Sequence, residues 1–423
     1  MSAADQPRRE REDEDDQNDD AQYIEEDDVV AEIDLDGDEP MDDDDNDDGP
    51  QGDDDQEMGD VEDTSEQRFS QHQGSVFSIS GHPTEPLAVS GGEDDVGYIW
   101  DITDGEIVAK LTGHTDSVTC TGFSADGEYV STGGMDGKVR IWRRVGKENY
   151  KRWEFLTELL GPDEVMWLRW HPKGTVLLAG SNDTTVWLWQ LPSGNTMQVF
   201  AGHTGPVQCG EFSPDGKRVV TACGDGTLIL WDPRQSAPVF KLSPSNSKGT
   251  FDLGGVTSLA INPSSTLALV GGAEGGLRVV SLTKGEVVAS LAGHKEGESV
   301  EAITFIDLVT TDTSGPGTAV TGGTDGRLIF WDLSTMRQRA SQEHQDAVTN
   351  LIKRPSPKSH IVVSASADRT LRTWDGRTGT MLREHQGHQA AVLGVSLALG
   401  GSVVLSAGDD GDCLVYTTEA VEE

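Results

Sequence analysis

An acidic residue standing six positions before an aromatic or apolar one recurs eight times along this chain. The pairs are Asp94/Trp100, Asp136/Trp142, Asp183/Trp189, Asp225/Trp231, Glu274/Val280, Asp325/Trp331, Asp368/Trp374 and Asp410/Tyr416, at intervals of 42 to 51 residues. Upstream of most stands a His four residues before a Val: His72/Val76, His114/Val118, His203/Val207, His344/Val348 and His388/Val392, with His294 preceding Val300 by six. Between these marks run short alternating apolar stretches such as "SVTCTGF", "YVSTGG" and "KVRIW", separated by turn residues such as Ala125-Asp126-Gly127. Such stretches are strands joined by hairpins. A repeat of this size is one supersecondary unit that cannot bury its own apolar side, so its neighbours must complete the core.

The pattern resembles the WD40 repeat, whose units are four-stranded blades of a propeller. The likeness covers residues 67 to 416, and eight copies imply eight blades. In that family the His, Ser/Thr, Asp and Trp of one blade form a buried hydrogen-bonded tetrad. Carried onto this chain, the tetrads are His114, Thr132, Asp136 and Trp142 in blade two; His203, Thr221, Asp225 and Trp231 in blade four; and His344, Ser364, Asp368 and Trp374 in blade seven. Such a group satisfies turn N–H donors and a buried carboxylate together. Asp94, with His72, Ser90 and Trp100, falls in the same slot, and Asp95 beside it is left unassigned. Blade five departs from the pattern: Val280 replaces Trp, and Asp252 stands at the His position. The last unit ends at Tyr416, three strands into its blade. Gln67 to Ser70 is therefore expected to supply the fourth strand and close the ring, which leaves no open sheet edge. The expected fold is an all-β WD40 propeller of eight blades over residues 67–423, preceded by a disordered acidic tail over residues 1–66.

Residues 1–66 hold 32 of the 74 carboxylates against three arginines, in a chain of net charge -42. Too little apolar surface is present there to offset chain entropy. In the tail, Asp44 to Gly49 matches the opening of a calcium loop, but position twelve is Asp55 rather than Glu and the run is low-complexity, so no metal is expected. Residues 23–37 interrupt the acid with apolar side chains and leave a short docking motif open. No apolar run approaches the length of a membrane span and "MSAADQPRRE" lacks a signal-peptide core, so a cytoplasmic location is expected, with the nucleus also open. Cys120, Cys209, Cys223 and Cys413 are scattered, without the spacing of a zinc site or a disulfide framework.

Every His of the repeat occupies the same slot, whereas a catalytic triad is one singular constellation; neither an enzyme nor a cofactor is expected. An acidic domain disfavours direct nucleic-acid binding. The one basic patch, Arg143, Arg144, Lys147, Lys151 and Arg152, reads as a solvated loop, with docking on RNA or on the tail as the alternative.

Propellers bind ligands on the face formed by the loops entering the innermost strands and by the turn before the tetrad Asp. Three positions per blade report on it: those flanking the repeat Val, and the one before the Asp. They supply Glu93 and Asp409, which become neighbours on ring closure, with Glu164, Met166, Glu301 and Phe77. Nearby loops add Asp116, Asp163, Glu298 and Asp346. An acidic ring with apolar anchors complements a basic peptide.

"GGEDD", "WLRWHPKGTVLLAGSNDTTVWLW" and "PDGKRVV…DGTLILWD", together with the acidic tail, are similar to the angio-associated migratory cell protein family, which includes a fungal chaperone dedicated to a ribosomal protein. The resemblance implies capture of the basic N-terminal segment of the large-subunit ribosomal protein L-ten (universal uL-sixteen) and its delivery to the pre-60S particle; a monomer is expected. The alternative is a non-catalytic scaffold for signalling or cell-migration complexes.

Overall fold

Strands of four to seven residues, bounded by turns, account for nearly all of the regular structure. The computed structural model describes residues 62–146, 150–307 and 317–418. Residues 1–61 of the tail, with its calcium-loop-like run and the segment 23–37, and Lys147 lie outside the described residues; the last five residues assigned to the tail, 62–66, are described, and Thr64 and Glu66 already hydrogen-bond to blades seven and eight, so the ordered chain begins earlier than the expected boundary at 67. Among those described, eight antiparallel sheets of four strands form the propeller, and the one helical segment is a short 3-10 turn, Leu399–Gly401. No described helix is long and apolar enough to cross a membrane.

In blade two the strands run from the inside outward as Val118–Phe123, Tyr129–Gly134, Val139–Arg144 and Trp153–Leu159. The other blades repeat this order. Second strands such as Leu87–Gly92 and Ile361–Ser366 are buried at every position, because neighbouring blades cover both of their faces. That is why "LAVSGG" and "IVVSAS" are unbroken runs of apolar and small residues. Outermost strands such as Arg337–Glu343 are mostly exposed. Trp100, Trp189, Trp231 and Trp374 are fully buried, each worth about 1.5–3 kcal/mol over an exposed aromatic.

Ring closure comes from the strand Gln67–Phe69 (β1), which pairs antiparallel with Cys413–Thr417 and completes blade eight. Phe69 then reaches blade one, where it stacks on Trp100 with ring centroids 4.7 Å apart. Arg68 ties the strand down through Asp412 at 2.7 Å and Asp63 at 2.8 Å. The chain already engages the ring at Thr64, whose N–H donates to the Gln386 carbonyl at 3.0 Å.

Blade five is a complete four-stranded blade, Val256–Ile261, Leu267–Gly272, Gly276–Ser281 and Glu286–Ala292. One sequence expectation needs correction there. Asp252 is exposed, and the buried side chain of Leu253 fills the corner that His occupies elsewhere, in a cluster with Phe251 and Val280. A Cβ on Gly272 would meet Leu253 at 2.6 Å, just as one on Gly323 in blade six would meet the His294 ring at 2.7 Å.

Candidate ligand-binding face

Eight backbone hydrogen bonds build this face. In every blade the N–H of the residue before the tetrad position donates to the carbonyl of the residue before the repeat Val: Glu93 to Ser75 at 2.9 Å, Asn182 to Glu164 at 3.0 Å, Asp409 to Ala391 at 2.9 Å, and likewise around the ring. Two of the three reporter positions are thus held side by side. The third follows from a β-bulge. Strand register shifts just after the repeat Val, as at Val76/Ser78, Val165/Trp167 and Val300/Ala302, which leaves Phe77, Met166 and Glu301 unpaired. A bulge re-aims the extra residue out of the ladder. Where that residue is Thr it locks the ring: Thr119, Thr257 and Thr349 each donate to the carbonyl of the next blade's Val, at 2.9, 2.7 and 2.6 Å. Phe77, Met166, Gln208, Glu301 and Leu393 hold the same register without a hydroxyl to spend on the ring.

Glu93 and Asp409 converge on one residue across the closure: Ser75 N–H donates to Glu93 Oε2 at 3.3 Å, and Ser75 Oγ donates to Asp409 Oδ1 at 2.5 Å. Glu164 and Glu301 are exposed on blades three and six, and Asp116 and Asp346 on blades two and seven. Glu164 accepts from Asn182 Nδ2 at 2.9 Å, while Asp116 and Asp346 accept from the next backbone N–H. Met166 is exposed and Phe77 half-buried. Blades four and five place Pro206, Gly224, Gly255 and Ala273 at the two bonded registers, and charge at these registers is confined to Glu93, Glu164 and Asp409 of blades one, three and eight. Met135 and Leu393 stand at the same registers and were passed over by the sequence reading; register alone would have found them.

Glu301 also borders a central channel of about 430 Å³. Within it Arg169 and Glu211 face each other at 3.4 Å. Glu211 opens onto the channel but is enclosed by the surrounding blades, and this enclosure pushes its carboxyl up despite the guanidinium beside it.

Asp95 takes φ +60°, and the residue after the tetrad position is left-handed in all eight blades, Gly in five of them. Its place in "GGEDD" is therefore that of a turn residue. An Asp tolerates this conformation better than most side chains.

Beneath the face lie the tetrads. In blade seven Trp374 Nε1 donates to Ser364 Oγ at 2.8 Å, His344 Nε2 meets Ser364 Oγ at 2.7 Å, and Nδ1 meets Asp368 at 2.9 Å. A carboxylate only accepts, so the ring proton sits on Nδ1 and the serine hydroxyl donates to Nε2. This is triad-like geometry, but Ser364 is fully buried and its oxygen is engaged on both sides, leaving no approach for a substrate. Burial, the largest influence, depresses His72, His114 and His294 below the ordinary imidazole range. Burial pushes Asp136 and Asp325 upward, but hydrogen bonds from His and backbone N–H outweigh it and hold both carboxyls low.

Of the four groups named from the sequence, in blades one, two, four and seven, three deviate. In blade one the buried Trp100 indole N–H finds no acceptor, the ring being stacked on Phe69. In blade two His114 bonds Thr132 at 2.7 Å and Asp136 at 3.0 Å, but Trp142 meets Phe155 edge-on at 5.9 Å instead of joining Thr132. In blade four Trp231 and His203 both bond Thr221, at 2.8 and 2.7 Å, yet His203 Nδ1 turns to Thr227 at 2.7 Å rather than to Asp225. Asp225 instead accepts from Thr204 N–H at 3.0 Å and Thr227 N–H at 2.8 Å. Cys223 stands there in place of the Ser366 of blade seven. Ligand atoms of His203, Cys223 and Asp225 come within 4.8 Å of one another, but both ring nitrogens and the carboxylate are already engaged.

The basic patch is largely neutralised: Arg143 pairs with Glu154 at 2.5 Å, Arg144 with Glu85 at 3.6 Å, and Lys151 with buried Asp101 at 2.8 Å.

The family model described as "WD domain, G-beta repeat" matches residues 63–101, 105–143, 153–190, 194–232, 337–375 and 379–417. The chain belongs to the WD40-repeat family. The unmatched stretch holds blades five and six, of which six has an intact tetrad. Within the family the chain groups with angio-associated migratory cell protein: it is 36% identical to the Homo sapiens protein over 372 residues, 84% of this chain and 81% of that one. Ribosome assembly protein SQT1 of Saccharomyces cerevisiae is 26% identical over 374 residues, 82% of this chain and 85% of that protein. Among solved structures, Chaetomium thermophilum Sqt1 bound to the N-terminus of the ribosomal protein L-ten superposes with a TM-score of 0.77 at 26% identity, over 84% of this chain and 100% of that one.

Proposed function

We propose that the chain is a ribosome-assembly chaperone that holds the basic N-terminal segment of ribosomal protein L-ten on its acidic face and delivers it to the pre-60S particle. The observation that carries the reading is the acidic face itself: Glu93 and Asp409 share Ser75, Glu164 and Glu301 stand exposed beside the repeat Val of blades three and six, and Asp116 and Asp346 stand exposed in the loops entering blades two and seven. The complex of Chaetomium thermophilum Sqt1 supports it. A newly made RNA-binding protein exposes Lys and Arg without their phosphates, and an acidic ring shields them until rRNA replaces it. The chain acts by binding, in the cytoplasm, without catalysis. The residues proposed to touch the client are Glu93, Asp116, Glu164, Met166, Glu301, Asp346, Asp409 and Phe77.

Titration of a peptide spanning that L-ten segment into the full chain tests this. Reversing Glu93 and Asp409 together to Lys is expected to slow association and weaken binding by several kcal/mol, because like charges then face each other. The control is Glu286→Lys, at the opposite end of blade five, where Glu286 pairs only with exposed Lys284 at 3.3 Å. Affinity should fall steeply with salt, since exposed charges are screened over about 8 Å at physiological ionic strength. Equal binding by the double reversal and the control would refute the face; salt-insensitive binding would refute its electrostatic basis.

A further inference from the structure

We propose that the seam between blades two and three seats a large apolar side chain of the client, so that the face selects a basic segment carrying such a residue over a plain polycation. The inference rests on the reading of the acidic face above and specifies which partner chemistry that face accepts.

Three large apolar side chains stand out of the protein at this seam: Met135 is 47% exposed, Leu160 68% and Met166 37%. Every other exposed large apolar side chain among the described residues, from Ile107 and Phe155 to Met381 and Leu382, lies on an outermost strand. The ligand-binding face thus concentrates its exposed apolar surface in one place. Single exposed apolar residues need no explanation, but a group of them does.

The repeat does not require these residues. Met135 is the residue before the tetrad Asp of blade two, a register filled in the other blades by charged, amide, hydroxyl or small side chains. Met166 is the bulge residue of blade three, where blades two, five and seven use a Thr that locks the ring. Leu160 lies in the connection entering blade three, which, like that entering blade five, lacks the repeat His. These three segments are packed together. A Cβ on Gly137 would lie 2.9 Å from the Pro162 carbonyl, so the turn holding Met135 rests on the connection holding Leu160. Thr119 Oγ1 donates to the Val165 carbonyl at 2.9 Å, which joins the strand carrying Met166 to blade two.

Exposed Asp116, Asp163 and Glu164 border the seam, and the nearby Lys138 is paired with Asp136 at 3.3 Å. Charge complementarity therefore assigns Lys or Arg to the residues flanking the apolar one. Methionine is unbranched and polarisable, suited to lining a site that adapts to an incoming side chain. The acids would govern encounter and its salt dependence, and the apolar contact would govern residence time.

The test pairs two peptides with two proteins in a double-mutant cycle. One peptide is the L-ten N-terminal segment; the other has each large apolar residue replaced by Gln, with its charge unchanged. The proteins are the full chain and its Met135→Gln, Leu160→Gln variant, both changes being at exposed positions. Removing the apolar residues from the peptide is expected to weaken binding to the natural chain at least tenfold, chiefly by faster dissociation, and to weaken binding to the variant less than twofold, with the same salt dependence throughout. Equal weakening in both proteins, or none in either, would overturn the inference while leaving the acidic face intact. Failure of the natural peptide to bind the natural chain would overturn the client reading and this inference together.

Discussion

Blades five and six stand side by side with the same four-stranded pairing, and fill the same corner by opposite chemistry. In blade six His294 bonds Thr321 at 2.8 Å and Asp325 at 3.0 Å, while Trp331 donates to Thr321 at 2.9 Å. In blade five Leu253, Phe251 and Val280 close the corner with apolar contact, and Glu274, in the Asp slot, is exposed. The comparison teaches that strand pairing and the packing of blade on blade make the propeller. The tetrad is one way to close its corner, and apolar packing is another. A buried polar network tolerates replacement by packed apolar groups, but not the loss of one member.

The largest test of this comparison is Asp325→Ala. The side chain is 2% exposed, and its removal strands His294 and two backbone N–H donors, so denaturant titration should show a loss of about 3–5 kcal/mol. Glu274→Ala, in the same slot of blade five, should change stability by under about 0.5 kcal/mol. Leu253→Ala should cost about 2–5 kcal/mol through the cavity it leaves. Similar losses at Asp325 and Glu274 would dissolve the distinction between the two corners.

Blade four sharpens the comparison, because its His has left the carboxylate. Burial depresses His203 to about 4, against a weaker opposing pull from Asp225. An unfolded His titrates near 6.5, so below that pH the unfolded state takes up the proton first. Stability is therefore lost as pH falls from 6.5 and levels off near 4, by about 3 kcal/mol from this residue. His203→Asn should flatten that stretch of a stability–pH curve. An unchanged slope would mean that blade four does not contribute it.

The smallest effect expected concerns what both corners share. The residue after the tetrad position is left-handed in blades five and six alike, at Gly275 and Gly326, and in blade three it is Thr184 at φ +76°. Thr184→Gly relieves that strain but loosens the unfolded chain, for a net gain of under about 1 kcal/mol. A measured loss would show that the hydroxyl or the methyl of Thr184 has a role of its own.

Much of the fold was legible in the residues. The spacing of Asp and Trp counted the blades, and the missing strand after Tyr416 pointed to Gln67–Phe69 for closure. The pairing of Glu93 with Asp409 across the closure also followed from register. Less of the candidate site was legible. Met135 and Leu393 sit at registers the repeat defines, but an apolar residue gives no sign in one dimension that its blade leaves it exposed, as Met135 is, or half-buried, as Leu393 is. Leu253 was hidden because a Leu one place from a His slot looks like ordinary core. The free Trp100 indole N–H could not be read either, nor could the ring stacked on its face, Phe69, which lies 31 positions away in the chain and meets it only when the ring closes.

The sequence by itself determined the repeat, the number of blades, the acidic imbalance and the identity of the closing strand. These follow from local periodicity, and a strand's alternation or a turn's glycine is set by sterics within a few residues. Only the tertiary structure decided which of the repeated slots work as tetrads and where apolar side chains are left in water. Those outcomes depend on which blade lies against which, and side chains dozens of residues apart compete for the same corner or the same acceptor only once the ring has closed.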